Sequence, residues 1–156
     1  MALTQVPGTM ILASGQSIPK AALPTGSVLQ VVQATGTAQI SILGGPTSTG
    51  FSASITPTAS TSKILVIFNG RLFTTSTGEI KLFVYRGASS VQNLVTIYSN
   101  AGSIAGVGTM VVLDSPATTS STTYTMYMQN SNATGYINVN GSADGTYTLT
   151  LMEIAA

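Results

Sequence analysis

Residues 51–68 read FSASITPTASTSKILVIF, and this stretch decides the fold. Phe51-Ser52-Ala53-Ser54-Ile55 alternates with period two and residues 64–68 form a β-branched apolar run, so two strands flank a loop of Pro57 and small hydroxyl side chains. Proline has no N–H to give to a ladder, so Pro57 ends the first strand. Ser62 or Lys63 opens the second, which runs to Phe73. Inside it, Asn69-Gly70 is a hairpin dipeptide. A return strand of residues 71–74 would be too short, so a bulge or bend is expected there and the turn itself at 74–78.

The same signals continue to both sides. Toward the C-terminus, residues 79–86 set Ile80, Leu82 and Val84 on one face and Lys81, Phe83 and Tyr85 on the other. Large apolar groups on both faces predict that one of them meets a partner. Strands follow at 93–99 and 109–113, separated by a glycine-rich link at 102–108, and Asp114-Ser115-Pro116 opens a hydroxyl-rich loop at 117–122. Tyr124, Met126 and Met128 then share one face while Thr125, Tyr127 and Gln129 share the other, a half-buried alternation. A brief strand at 136–139 precedes turn signals at Asn140-Gly141 and Asp144-Gly145, and residues 147–154 form the last strand. Toward the N-terminus, strands are read at 28–32 and at 39–43, the latter closed by Gly44-Gly45-Pro46.

Ten short strands with no helical pattern indicate an all-β fold, an antiparallel β-sandwich or jelly roll occupying residues 24–156. Residues 1–23 carry Pro7, Gly8, Gly15 and Pro19 among brief apolar runs and read as an extended N-terminal arm. Leu3, Val6, Ile11, Ile18 and Leu23 could each bury a side chain along a neighbouring protein; the alternative is a frayed terminus.

Composition narrows the functions. A chain of 156 residues suits one domain, and its 44% hydrophobic content in short runs is unlike disorder. Charged residues are only 6% of it, so Ser, Thr, Gly and Asn carry the polar surface. The five basic residues, Lys20, Lys63, Arg71, Lys81 and Arg86, are scattered, and net charge is +1. No basic stripe is available for phosphates, so no nucleic-acid partner is expected. No stretch approaches the ~20 apolar residues that span a bilayer, and residues 1–12 lack a signal-peptide pattern, so neither membrane insertion nor export by the usual route is expected.

Catalysis is not expected either. The chain has no histidine to act as base and no cysteine to act as nucleophile or thiolate ligand, and no EF-hand, zinc or phosphate-loop spacing occurs. Ser62 and Lys63 would point to opposite faces of a strand. Of the carboxyls that glycoside cleavage would need, Glu79, Asp114 and Asp144 sit in or beside turns, and Glu153 is expected to pair with a base such as Lys63 or Arg86. No catalytic residue, metal or cofactor is therefore assigned.

Five pieces, PTGSVLQVV at 24–32, SITPTASTSKILV at 54–66, Arg86-Gly87, LDSPAT at 113–118 with the hydroxyl run into Tyr124, and TLTLMEIAA at 148–156, together resemble a family of phage-encoded β-sandwich domains of tail fibres and virion surfaces. The resemblance implies a virion-surface protein, usually trimeric, with a jelly roll similar to those of C1q and tumour necrosis factor. It implies either a tail-fibre or fibre-tip domain that binds the host surface multivalently, or a capsid decoration or head-fibre protein held to other virion proteins through residues 1–23. For a host glycan or protein, the receptor candidates are Tyr98, Asn100, Asn130, Asn132 and Tyr136, an aromatic and amide set suited to sugars. Tyrosine suits a subunit interface equally well. Phe83, Tyr85 and Tyr127 are the candidates for the trimer contact.

Overall fold

The computed structural model of the chain describes residues 23–138 and 145–156. The expected arm, apart from Leu23, lies outside the described residues, as do Val139, Asn140-Gly141 and Asp144. Eight strands are formed: β1 (Val28–Gly36), β2 (Ile40–Ile55), β3 (Lys63–Thr74), β4 (Gly78–Arg86), β5 (Ser89–Ser99), β6 (Ile104–Asp114), β7 (Thr122–Ile137) and β8 (Tyr147–Ile154). Every pairing between them is antiparallel. One sheet runs β1-β8-β3-β6 and the other β2-β7-β4-β5, and the two join where residues 72–74 of β3 pair with residues 135–137 of β7. This is the expected sandwich, with jelly-roll strand order.

The alternation read from residues 51–68 places the core. Ile64, Val66, Phe68 and Leu72 of β3 point inward against Leu149 and Leu151 of β8 and Met110 of β6. From the facing sheet come Ile80, Leu82 and Val84 of β4 and Tyr124, Met126 and Met128 of β7. Phe51 crosses between the sheets to meet Tyr147 edge to face, with centroids 4.7 Å apart.

Eight strands replace the expected ten because two pairs merge. Gly44-Gly45-Pro46 does not close a strand: β2 is an edge strand, where a proline takes no hydrogen bond from a neighbour, and it passes this point through register shifts against β7. Within β7, Asn130 Oδ1 accepts from the backbone N–H groups of Asn132 and Ala133, making a bulge that moves the buried positions from even numbers to odd. The strand thus continues from 130 to 137 with its phase reversed.

Two glycine signals also behave differently from their reading as punctuation. β3 runs through Asn69-Gly70 with unbroken register against β6, and no bulge forms there. Gly70 is needed because a Cβ would lie 2.8 Å from Tyr147 Cβ and 2.9 Å from the Phe68 ring. Likewise much of the expected link at 102–108 is strand, and Gly108 leaves room for the Leu72 side chain. In both places the missing side chain makes space for a core residue.

Candidate functional site

The two ends of the sandwich differ in chemistry. At the first end lie the turn before β1, the β2–β3, β4–β5 and β6–β7 loops and Ala155; at the opposite end lie the β1–β2, β3–β4 and β5–β6 loops.

At the first end the inward row of one sheet reads Gln30, Glu153, Ile64, Asp114 across β1, β8, β3 and β6. Both carboxyls are buried. Glu153 accepts from Gln30 Nε2 at 2.6 Å and from the Thr58 N–H and hydroxyl, each at 2.7 Å. Burial opposes its charge, but these bonds and one from Ser62 outweigh burial and hold its pKa below the usual glutamate value. The expected salt bridge from Glu153 to Lys63 or Arg86 is not formed. The alternation of β8 points Glu153 inward, whereas Lys63 points outward. Neutral donors from the β2–β3 loop take the place of a base.

Arg86 pairs instead with Asp114, Nε lying 2.8 Å from Oδ2. The same oxygen accepts the Tyr124 hydroxyl at 2.7 Å. Burial, then the bond to Asp114, pushes the Tyr124 phenol well above its ordinary value, so it remains a neutral donor. This cluster ties the two sheets together, Asp114 belonging to β6 and its partners to β4 and β7. Asp114, expected in a turn, is the last residue of β6, and its partners lie 10 and 28 positions away in sequence, beyond the reach of any local pattern. Glu79 pairs with Lys81. Asp144 lies outside the described residues, and among those residues no cluster of three His, Cys, Asp or Glu is placed to hold a metal.

The sequence pieces that resemble phage surface domains converge on these networks. Gln30, Thr58 with Ser62, and Glu153 come from three of them, and Arg86, Asp114 and Tyr124 from the other two.

The receptor candidates all lie toward the opposite end. Tyr98 is 65% exposed on β5, across from Glu79 of β4, and Asn100 is exposed in the β5–β6 loop. Asn132 is exposed in the β7 bulge beside Gly78. Tyr136 packs on Phe73, centroids 5.8 Å apart. Asn130 differs from the others: it is fully buried, and it donates to Thr74 Oγ1 at 2.8 Å while its carbonyl shapes the bulge. Its side chain has no exposed atom to offer a ligand. The set therefore shares an end of the sandwich but is spread over β5, β7 and one loop.

The trimer candidates lie on the outer face of the β2-β7-β4-β5 sheet and pack on one another. Tyr85 stacks on Tyr127 at 4.1 Å, Phe83 is 6.4 Å from Tyr85, and Phe83 is itself buried. Sequence reasoning missed the other outer face. Across β1-β8-β3-β6 the outward row Val31, Met152, Leu65, Leu113 is wholly apolar; beside it stand Val28 and Ile154 with Lys63 on one side, and Ile67 and Val111 with Gln33 and Thr150 on the other. Val28, Val31, Val111 and Leu113 are each more than half exposed. The signal was present in MVVL at 110–113 and LVIF at 65–68, where residues on both sides of each strand are apolar.

No family model and no curated protein matches this chain. Among solved structures it is similar to one of infectious bursal disease virus, Gx strain, with 20% identity over 94% of this chain and a TM-score of 0.44. It covers 43% of that chain, less than half its length. It is also similar to a protein of Bacillus endospore appendages, described as disulfide-linked pili, with 15% identity, 90% of this chain and all of that one covered, and a TM-score of 0.34. Both scores fall below 0.5, so the functional argument rests on the geometry above.

Proposed function

We propose that this chain is a structural, self-assembling domain of a virion surface: a homotrimer in a tail fibre or fibre tip that presents its loops to the host cell. The observation that carries the reading is the bare aliphatic face of the β1-β8-β3-β6 sheet. Soluble monomers rarely leave contiguous apolar patches beyond a few hundred Å² uncovered, and at 6% charged residues the chain has few charges with which to offset one. Burying that face against further copies is the economical solution, and three copies is the number the sequence resemblance implies.

The placement of the ends supports the division of labour. Leu23 precedes β1 at the first end, while Tyr98, Asn100 and Asn132 lie exposed toward the other. An attachment segment before residue 24 and a host-facing surface around those residues would therefore not compete for space. Three weak glycan contacts of ~1 mM each, engaged together, raise apparent affinity by roughly 10²–10⁴. The same geometry serves a capsid decoration protein anchored by residues 1–23, and labelling the protein on intact particles separates head from tail.

Light scattering tests the assembly. The purified chain is expected at three times its 15.9 kDa mass at micromolar concentration. A monomer at that concentration would sink the reading.

A further inference from the structure

Beside the Arg86–Asp114 pair an open cleft of about 350 Å³ is lined by Arg86, Gly87, Ser121, Thr122 and Thr123. A guanidinium carries five N–H donors. Nε is buried and forms an ion pair with Asp114 Oδ2 at 2.8 Å without a hydrogen bond, and among the described residues no hydrogen bond from the terminal nitrogens is found. The side chain is nevertheless fixed in position, because Asp114 is itself anchored by Tyr124. Of the hydroxyls nearby, Thr122 Oγ1 already donates its proton to the Ser120 carbonyl and Thr123 Oγ1 is paired with Ser54 Oγ, so the exposed Ser121 is the one left to donate. The lining residues include no carboxylate, and Asp114 meets the guanidinium on its buried Nε edge.

A held cation with unused donors, next to hydroxyls and a glycine turn, suits an acceptor with two oxygens in one plane. From this we propose that the cleft binds an oxyanion, the carboxylate or phosphate group of an acidic polymer, with the Arg86 fork donating to two of its oxygens and Ser121 to its rim. Charge-assisted, paired N–H···O contacts are the strong ones available to arginine. Without an aromatic wall among the lining residues, a neutral sugar ring has nothing to stack on, so the anionic group carries recognition.

The test is an NMR titration of the intact chain with glucuronate, glycerol 3-phosphate and glucose at constant ionic strength. Saturable shifts are expected at the amides of Gly87 and residues 121–123 with a charged ligand, half-complete at ~1–10 mM as befits a single contact site, and none with glucose or added sodium chloride. Response to glucuronate alone marks an acidic saccharide as the source, and response to both anions marks a general oxyanion site. Ser121→Asp, which leaves the Arg86–Asp114 pair untouched, is expected to abolish the shifts without changing the melting temperature, and Arg86→Lys to weaken binding about tenfold by removing the fork. Shifts that are absent, that glucose reproduces, or that persist in both variants would overturn the proposal. The cleft lies at the end of the sandwich and the titration does not depend on oligomeric state, so failure here leaves the assembly reading standing.

Discussion

The outer faces of the two sheets both carry large apolar side chains, and the centres of the two faces handle them differently. On β2-β7-β4-β5 the central apolar groups are aromatic, and they cover one another: Tyr85 lies on Tyr127, and Phe83 ends up 9% exposed, while Leu43 on β2 and Tyr98 on β5 stand bare farther out. Around the aromatic groups stand hydroxyls such as the Ser54–Thr123 pair at 2.7 Å. On β1-β8-β3-β6 the apolar groups are aliphatic, too short to fold over their neighbours, and Val31 and Val111 remain 55% and 54% exposed. An aromatic ring on a strand can reach a cross-strand or diagonal partner, whereas a valine cannot. The lesson is that an outward apolar residue signals a partner only when its own sheet leaves it bare.

The largest expected effect comes from charging the bare face. Val111→Lys with Leu113→Lys is expected to convert the proposed trimer to monomers, a loss of at least ~100-fold in association, because hot-spot residues at an interface centre cost ~2 kcal/mol or more when lost. Both positions are exposed in the single chain, so the fold should persist, as far-UV circular dichroism can check. A matched charge on the other sheet, Ser52→Lys, should leave the mass unchanged. Dissociation by Ser52→Lys alone would transfer the interface to the face of Phe83, Tyr85 and Tyr127.

Next in size is the stability of the single chain, measured on that monomeric background. Tyr127→Ala removes the stack with Tyr85 and should cost about 2 kcal/mol, from lost burial plus the ~0.5–1.5 kcal/mol of an aromatic pair. Leu65→Ala, on the half-buried part of the bare face, should cost less, and Val28→Ala within about 0.5 kcal/mol. Urea denaturation gives all three. Equal losses at Tyr127 and Val28 would mean that the aromatic cluster is as bare in solution as the aliphatic one.

Legibility in the sequence followed the range of the signal. Alternation and short apolar runs located at least part of every strand, because burial of side chains along a strand is a local property, and many short strands with no helical pattern indicated the sandwich. Strand ends were less legible. Gly44-Gly45-Pro46 and residues 102–108 have turn composition, yet an edge position tolerates the first and the Leu72 side chain requires a glycine in the second. Buried polar pairing was not legible at all: Glu153 meets Gln30 across 123 positions, and only the alternation of β8 could have warned that this acid points inward. Of the candidate site, exposure at Tyr98 was readable from turn proximity. The burial of Asn130 was not, since the bulge that turns it inward is made by its own side chain.

The smallest effect separates the sheets from the inside. Glu153 belongs to the β1-β8-β3-β6 sheet, so acid acting through it should act on the sheet with the bare outer face. Although burial opposes its charge, bonds from Gln30, Ser62 and Thr58 leave the folded pKa of Glu153 below the ordinary 4.5. A depressed folded value means that the ionised form contributes stability above the unfolded pKa and that this contribution is lost as pH falls through the folded one. The melting temperature should therefore be flat near neutrality and begin to decline below about pH 4.5, by a few degrees for each ~1 kcal/mol lost. Glu153→Gln keeps the shape but places an amide N–H₂ against the Thr58 and Gln30 donors, so it should lower stability at neutral pH and flatten the acid slope. An unchanged slope in that variant would assign the acid sensitivity to other groups and leave the two sheets alike in their inner chemistry, different only in what they expose.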